Sequence, residues 1–260
     1  MSGALDADVE PLLGTSWLGR AWRHLPACGS TNDEAATWAR AGAPAGAVVT
    51  SDEQTRGRGR LGRAWHSPPG ASLYFSVVLR PSLKPAEVPP VTLAAGVAVA
   101  EAIARFAVAP ALKWPNVLLV GGRKVAGILT EMATTQGRIE HLVVGVGVNL
   151  NVPDFPDELS SIAASLHHAR GRAVDRALFA ATLCERLEVW LERFLADGAP
   201  AVVDGWKRFA PFFGTRLTLS AAAGVAPVSG IAQDLDPDGA LRLLTDDGRS
   251  IRVVAGEVLP

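Results

Sequence analysis

Cysteine, tyrosine and uncompensated charge are what this 260-residue sequence has least of. Its two cysteines, Cys28 and Cys184, lie far apart and outside any CxxC or Cys/His spacing. That argues against a disulfide framework and against a structural zinc site. Lysine plus arginine (25) and aspartate plus glutamate (26) leave a formal net charge of -1, so nothing global points to nucleic acid. A long apolar run is missing too. The nearest to one, Val91 to Leu112, is interrupted by Glu101 and Arg105 and meets Pro110 near its end, which suits a buried helix and not a membrane span. The first residues, Met1 to Gly14, carry Asp6, Asp8 and Glu10 where a secretory signal would be basic and then apolar. Export is not expected, and the expected location is cytoplasmic.

What is present is the composition of an ordinary globular chain, 48% hydrophobic and 20% charged, long enough to bury a full core without staples. Apolar periodicity gives a mixed α/β succession with no internal repeat. Ser30 or Thr31 can cap a first helix, because Thr31-x-x-Glu34 has capping-box spacing. Strands are expected at Ala47 to Ser51, Leu73 to Leu79, Val117 to Val120, Val125 to Glu131 and Ile139 to Asn149, with a helix over Val91 to Ala107. Asp175 caps a long helix to about Ala196 with an apolar face of Leu178, Ala181, Leu183, Leu187, Trp190, Leu191 and Phe194. A short helix at Ala201 to Phe209 follows. Beyond Pro211 the pattern changes to short strands, Arg216 to Ser220, Val225 to Gln233, Ala240 to Leu244 and Ser250 to Val254, separated by turn signals. Residues 1–211 therefore read as one domain and 212–260 as a small β-barrel.

The sharpest local feature is Arg56-Gly57-Arg58-Gly59-Arg60-Leu61-Gly62-Arg63, four arginines and three glycines in eight residues with no acid among them. Arginine offers phosphate a fixed fork of donors, and interleaved glycines let backbone N–H groups approach an anion. Taken alone, a solvated basic turn is the competing reading. Gly57-x-Gly59-x-x-Gly62 also satisfies the dinucleotide-fold fingerprint, but that fingerprint must open a helix. Here Pro68-Pro69 follows, and the proline pair prevents one. A second feature is Lys113-Trp114-Pro115-Asn116, followed by Lys124 after the pair Gly121-Gly122. The glycines permit a tight hairpin that would bring the two lysines together, where they repel unless an anion lies between them. Surface lysines flanking a hairpin would look the same. The third feature is Gly145-Val146-Gly147-Val148-Asn149, a strand whose glycines remove side chains where something packs on the backbone.

Together with Ser30-Thr31-Asn32 and Gln54 upstream, and Trp65, Ala126 and Gly127 completing the motifs, this set resembles the biotin protein ligase family over most of the chain. The resemblance implies a class II synthetase-like α/β (α+β) catalytic domain followed by an SH3-like β-barrel. It implies ATP-dependent activation of biotin to biotinyl-5'-AMP, then transfer to a lysine of the biotin carboxyl carrier protein domain of acetyl-CoA carboxylase or a related carboxylase. Biotin presents a cyclic urea at one end and a carboxylate at the other. By resemblance, Ser30, Thr31, Asn32 and Gln54 would serve the ureido ring, Gly145 and Gly147 with Gly127 the floor, and Gly57, Arg58, Gly59 and Arg60 the tail. Lys124 would stand between the biotin carboxylate and the α-phosphate. Lys113, Arg58, Arg60 and Arg63 would hold phosphates, Trp65 would pack on adenine, and Asn116 and Asn149 would contact the nucleotide. Mg2+ would arrive with ATP. Catalysis is thus expected to rest on Lys124, Arg60 and Lys113.

Family members with a repressor role carry a helix-turn-helix ahead of the Ser-Thr-Asn motif. Only 29 residues precede Ser30, so the resemblance is to the monofunctional group, with no DNA or membrane partner expected and a homodimer left open. Two other readings compete. A lipoate or octanoate ligase or transferase would share the fold but give Gln54 and Ser30-Thr31-Asn32 no urea to bind. A non-enzymatic RNA binder would use the Arg-Gly loop, against which near-zero charge and one tyrosine argue. One departure stands out: the family's Lys-Trp-Pro-Asn is followed by aspartate, and here Val117 takes that place.

Overall fold

Alternation along the strands decides which side of the fold each side chain serves, and two strands show it best. In Leu73–Leu79 and Arg138–Val148, Leu73, Phe75, Val77, Val144, Val146 and Val148 join the main apolar core. The residues between them, Tyr74, Ser76, Gly145 and Gly147, face the other way. The computed structural model describes residues 5–220 and 227–259. In chain order its elements are α1 (Leu5–Val9), β1 (Trp22–Leu25), α2 (Thr31–Arg40), β2 (Val48–Ser51), β3 (Leu73–Leu79), α3 (Pro89–Ala104), β4 (Ala111–Lys113), β5 (Val117–Val120), β6 (Arg123–Thr135) and β7 (Arg138–Val148). They continue with α4 (Asp157–Ser160), α5 (Leu166–Arg170), α6 (Arg176–Asp197), α7 (Ala199–Lys207), β8 (Arg216–Ser220), β9 (Val228–Leu235), β10 (Leu241–Leu244), β11 (Ser250–Val253) and β12 (Glu257–Val258).

Seven strands form one mixed sheet in the order β1-β2-β3-β7-β6-β5-β4, with β1 and β2 parallel and the other pairs antiparallel. Helix α2 covers one face through Ala35 and Ala39, which meet Val49, Val78 and Val143. Helices α3, α6 and α7 cover the other. Almost every residue of α3 from Val91 to Ile103 is buried, so the most apolar stretch of the chain is a core helix wrapped by the fold. Helix α6 starts at Asp175, whose carboxylate accepts from the Leu178 N–H at 3.0 Å. Its buried face runs through Leu183, Leu187, Trp190, Leu191 and Phe194, each worth roughly 1.5–3 kcal/mol on burial. Leu187→Ala should cost about 2–5 kcal/mol. Glu188, on the same helix, accepts three backbone N–H groups from Ser16, Trp17 and Leu18 at 2.7–2.9 Å. Burial pushes its carboxyl up, but those three bonds outweigh it and hold the group below the usual carboxylate range.

A five-stranded antiparallel sheet, in the order β11-β10-β9-β8-β12, follows. Trp114, fully buried, donates its Nε1–H to the Gly239 carbonyl at 3.0 Å and so ties this sheet to the turn after β4. The predicted strand start at Val225 lies outside the described residues. Three corrections concern local detail. Leu178 is 46% exposed, because it lies in line with Thr182, Glu185 and Val189 on the outer stripe of α6. The capping-box pair Thr31 and Glu34 does not form; Ser30 is the cap residue and its side chain makes no capping bond. Strands β1, β4 and β12 were not expected: β4 and β12 are only three and two residues long, and β1, Trp-Arg-His-Leu, lacks the β-branched and apolar run that marks β2 and β5 at the same length.

Candidate active site

Register across the sheet brings the motif residues into rows. Lys113 pairs with Val117, Val117 with Gly127, Gly127 with Gly147, and Gly147 with Tyr74. Directly opposed residues point to one face, so this row lies on the side away from α3. The next row holds Ser76, Gly145 and Leu129. Three glycines therefore leave a side-chain-free patch in the middle of the sheet. The Trp65 ring rests on it: a Cβ at Gly147 would lie 2.7 Å from the indole, and one at Gly127 would lie 3.0 Å away. A Cβ at Gly145 would stand 2.2 Å from Asn32 Oδ1. Glycine at 145 and 147 is thus a requirement of close approach.

One end of this patch is neutral and interlocked. Gln54 Oε1 accepts the Thr31 N–H at 2.9 Å and the Thr31 hydroxyl at 3.1 Å, while Gln54 Nε2 donates to Ser67 Oγ at 3.3 Å. The fully buried Ser76 hydroxyl lies 2.8 Å from Thr31 Oγ1 and 2.6 Å from Asn32 Oδ1. Asn32 Nδ2 donates to Glu131 Oε2 at 2.6 Å. Gly57, which has no room for a Cβ beside Ser67 and Gln54, begins the arginine loop here. The Ser30 hydroxyl, not used in capping, stays available at the same helix end.

The other end is cationic, and a break in the ladder creates it. Lys124 and Gly127 are three apart, so regular pleating would put them on opposite faces. The register slips between Leu118 and Leu119, where Val125 is the extra residue on β6. Val125 drops into the core, and the Lys124 side chain swings over Gly127, its Nζ 4.8 Å from the Trp65 ring centroid. The slip is pinned from outside. Lys124 N donates to Ile162 O at 2.7 Å, Ala164 N donates to Lys124 O at 2.9 Å, and Asn149 Nδ2 donates to Ala164 O at 3.1 Å. Among the described residues the Lys124 ammonium makes no ion pair. Burial chiefly lowers its pKa, with Arg63 and Lys113 adding to the effect and Glu257 opposing it. Gly121 and Gly122 both have positive φ, 56° and 76°, as the hairpin reading of the two lysines requires.

The arginine loop bridges both ends. Arg58 forks onto Asp33 at 2.7 Å twice and reaches Glu131 at 3.3 Å. Arg60 Nη1 lies 3.4 Å from Asn116 Oδ1 and 3.4 Å from the Gly256 carbonyl. Arg63 pairs with Glu257, so the loop also leans on β12. Leu61, 74% exposed, sits at its tip with φ 58°.

The structure brings the residues assigned to ligands from the sequence to this one face, with Ala126 and Trp114 of the same motifs packed in the core, yet it gives several of them different partners from those expected. The Arg58 guanidinium is held by two carboxylates, so only its backbone is free to meet a ligand. Asn149 braces residues 162–164, and Asn116 Nδ2 donates to Ile128 O at 2.6 Å. Trp65 lies on the glycine floor. Ser67, Ser76, Glu131, Ile162, Ala164 and Glu257 were missed. For Ser76 the signal was there: a serine inside the apolar run Leu73-Tyr74-Phe75-Ser76-Val77-Val78-Leu79 is a buried polar group in need of a partner. No sequence signal announces Glu257 or residues 162–164.

Residues 27–149 match the Biotin/lipoate A/B protein ligase family, and residues 223–259 match the Biotin protein ligase C terminal domain. Those matches, on this fold, define a protein ligase of the biotin and lipoate class whose C-terminal part matches the C-terminal domain of biotin protein ligases. A Biotin--[acetyl-CoA-carboxylase] ligase of Mycobacterium tuberculosis is 36% identical over 250 residues, covering 93% of this chain and 90% of that protein. A Bifunctional ligase/repressor BirA of Bacillus spizizenii is 35% identical over 94% of this chain and 75% of its own length. The solved structure of a biotin protein ligase from Aquifex aeolicus in complex with biotin and ATP superposes with a TM-score of 0.80 at 27% identity, covering 92% of this chain and 98% of that one. The chain belongs to the biotin protein ligase family.

Proposed function

We propose that this chain is a biotin protein ligase that joins biotin to ATP as biotinyl-5'-AMP and then passes the biotin to a lysine of a carboxylase's biotin carrier domain. The observation that carries it is the glycine-floored slot, filled here by the Trp65 ring, with a neutral polar cluster at one end and, at the other, a Lys124 ammonium that is unpaired among the described residues. That charge pattern matches a molecule with a urea at one end and a carboxylate at the other. Ser30, Thr31 and Gln54 serve the ureido ring, with Asn32 holding them in place. Gly145, Gly147 and Gly127 form the floor, which biotin reaches once the Trp65 ring lifts from it; Gly57 and Arg58 supply backbone donors along the tail, and Gly59, whose N–H donates to the Arg63 carbonyl at 2.7 Å, closes the loop beside them. One carboxylate oxygen of biotin attacks the α-phosphorus and pyrophosphate leaves. Two anions meet in that step, and Lys124 lies between them with its charge uncompensated. Arg60, Arg63 and Lys113 hold phosphates, Trp65, once off the floor, packs on the adenine, and Asn116 and Asn149 border the nucleotide. In the second step the acceptor lysine attacks the acyl carbon and AMP leaves.

Mg2+ enters as part of the nucleotide substrate. No cluster of three or more histidine, cysteine or acidic side chains suited to a metal occurs among the described residues, so the phosphates themselves would hold it. Residues 1–211 act as the catalytic domain and 212–260 as the module that closes the arginine loop. A cytoplasmic setting, where carboxylases work, follows from the same reading. The test is incubation with ATP, labelled biotin and a biotin carrier domain. Label on a single lysine, dependent on ATP, is expected; an unlabelled carrier would refute the proposal.

A further inference from the structure

We infer that Glu131 is a positioning residue for biotin, locking the first turn of α2 and the stem of the arginine loop to the glycine strand pair; this rests on the biotin-activating reading of the site. Glu131 follows Gly127 and Leu129 at steps of two along β6, so it shares their face. Its carboxylate accepts from Asn32 Nδ2 at 2.6 Å and from Arg58 Nη2 at 3.3 Å. Arg58 in turn forks onto Asp33, the residue next to Asn32. Asn32, Glu131, Arg58 and Asp33 therefore form a closed ring joining three separate pieces of chain. Asn32 Oδ1 fills the space that a side chain at Gly145 would take, so the ring also sets how far α2 stands from the sheet.

The ring fixes Ser30, Thr31 and Gly57 relative to the floor before any ligand arrives. Ordering these pieces in advance removes an entropic cost from binding. Fold stability is a poor account of it. The Glu131 and Arg58 side chains are 43% and 35% exposed, and ion pairs at such exposure contribute little to stability because water screens them. The Asn32 bond is the buried member, and it reaches only a helix end already held by Thr31 and Gln54.

The experiment loads the full chain with biotin and ATP, removes free ligand, and follows loss of the adenylate with time for wild type, Glu131→Gln, Asp33→Asn and the double variant. Each single variant is expected to lose adenylate about tenfold faster and to show a biotin KM raised by about tenfold. The kcat for pyrophosphate release should stay within about twofold and Tm within about 2 °C. The double variant should fall short of the product of the single effects, because both act through Arg58. Wild-type adenylate lifetime and KM in both single variants would overturn the inference, as would a loss confined to Tm and kcat. A wild-type chain that forms no adenylate from biotin and ATP overturns the functional reading itself, before any variant is compared.

Discussion

At one end of the slot, Thr31, Asn32, Gln54, Ser67 and Ser76 bond to one another at 2.6–3.3 Å; at the other, Lys124 lies over the same floor with no ion-pair partner among the described residues and only the more distant charge of Glu257 in its favour. The first end is partly satisfied within the protein, which lowers the cost of burying it, while the Ser30 hydroxyl and the second hydrogen of Gln54 Nε2 are left for a ligand. The second is incomplete, and holding a desolvated ammonium there opposes folding. The difference teaches where each kind of specificity lives. Shape and hydrogen bonding are built into the protein, whereas the electrostatic half of the site is finished by the substrates.

The variant that separates the two ends most sharply is Lys124→Met, which keeps the apolar stem over Trp65. It should lower kcat for pyrophosphate release by roughly 10²–10³-fold, with the fold unharmed, as read by circular dichroism. The sign of the pH effect follows from the same burial. The Lys124 ammonium has its pKa lowered from 10.5, so its charge is lost as pH rises through a value below that of an ordinary lysine. Wild-type kcat/KM should fall on the alkaline side accordingly, and the Lys124→Arg variant should lack that limb because guanidinium stays charged. Gly145→Ala attacks the opposite end. Its Cβ meets Asn32 Oδ1 at 2.2 Å and should break the interlocked cluster, raising the biotin KM by roughly ten- to a hundredfold while ATP binding is spared.

Arg60→Gly tests the bridge between the ends. With its contacts to Asn116 and Gly256 gone, the adenylate should escape about tenfold faster, by the loss of about one charge-assisted bond. Biotinylation of bystander proteins, read by streptavidin blot, would register it. Val117→Asp is expected to have the smallest effect, up to about tenfold in ATP KM. Val117 sits opposite Lys113 and Gly127 on the slot face, so an aspartate there would place a carboxylate beside Lys113. An unchanged response to ATP and magnesium would make the position purely structural.

The order of elements was legible because strands β3 and β7 are short apolar runs rich in valine, buried on both faces, and α6 carries an Asp cap and one apolar stripe. The motif residues could be gathered into one site because glycine runs and clustered arginines are visible as text. What could not be read was direction. The aim of Lys124 depends on a one-residue slip at Val125, and a slip leaves no mark in hydrophobic periodicity when valine suits either face. Likewise, Arg58 looks like an anion ligand in sequence, yet Asp33 and Glu131, one on a helix and one on a distant strand, claim its guanidinium. Long-range pairing of this kind is set by the assembled sheet and not by any local pattern.

The central claim is that the neutral end of the slot is matched to a urea and the cationic end to a carboxylate with ATP beside it. Pyrophosphate release in the presence of ATP and, in turn, biotin, lipoate or octanoate tests it most directly, since all three carry the carboxylate and only biotin carries the urea. Buried polar groups built to bond a substrate reject an analogue lacking the partner by as much as roughly 10⁴-fold. Release with biotin and near-background rates with the other two is the predicted result. Comparable release with lipoate or octanoate would contradict it, because the polar cluster would then have no part in choosing the substrate.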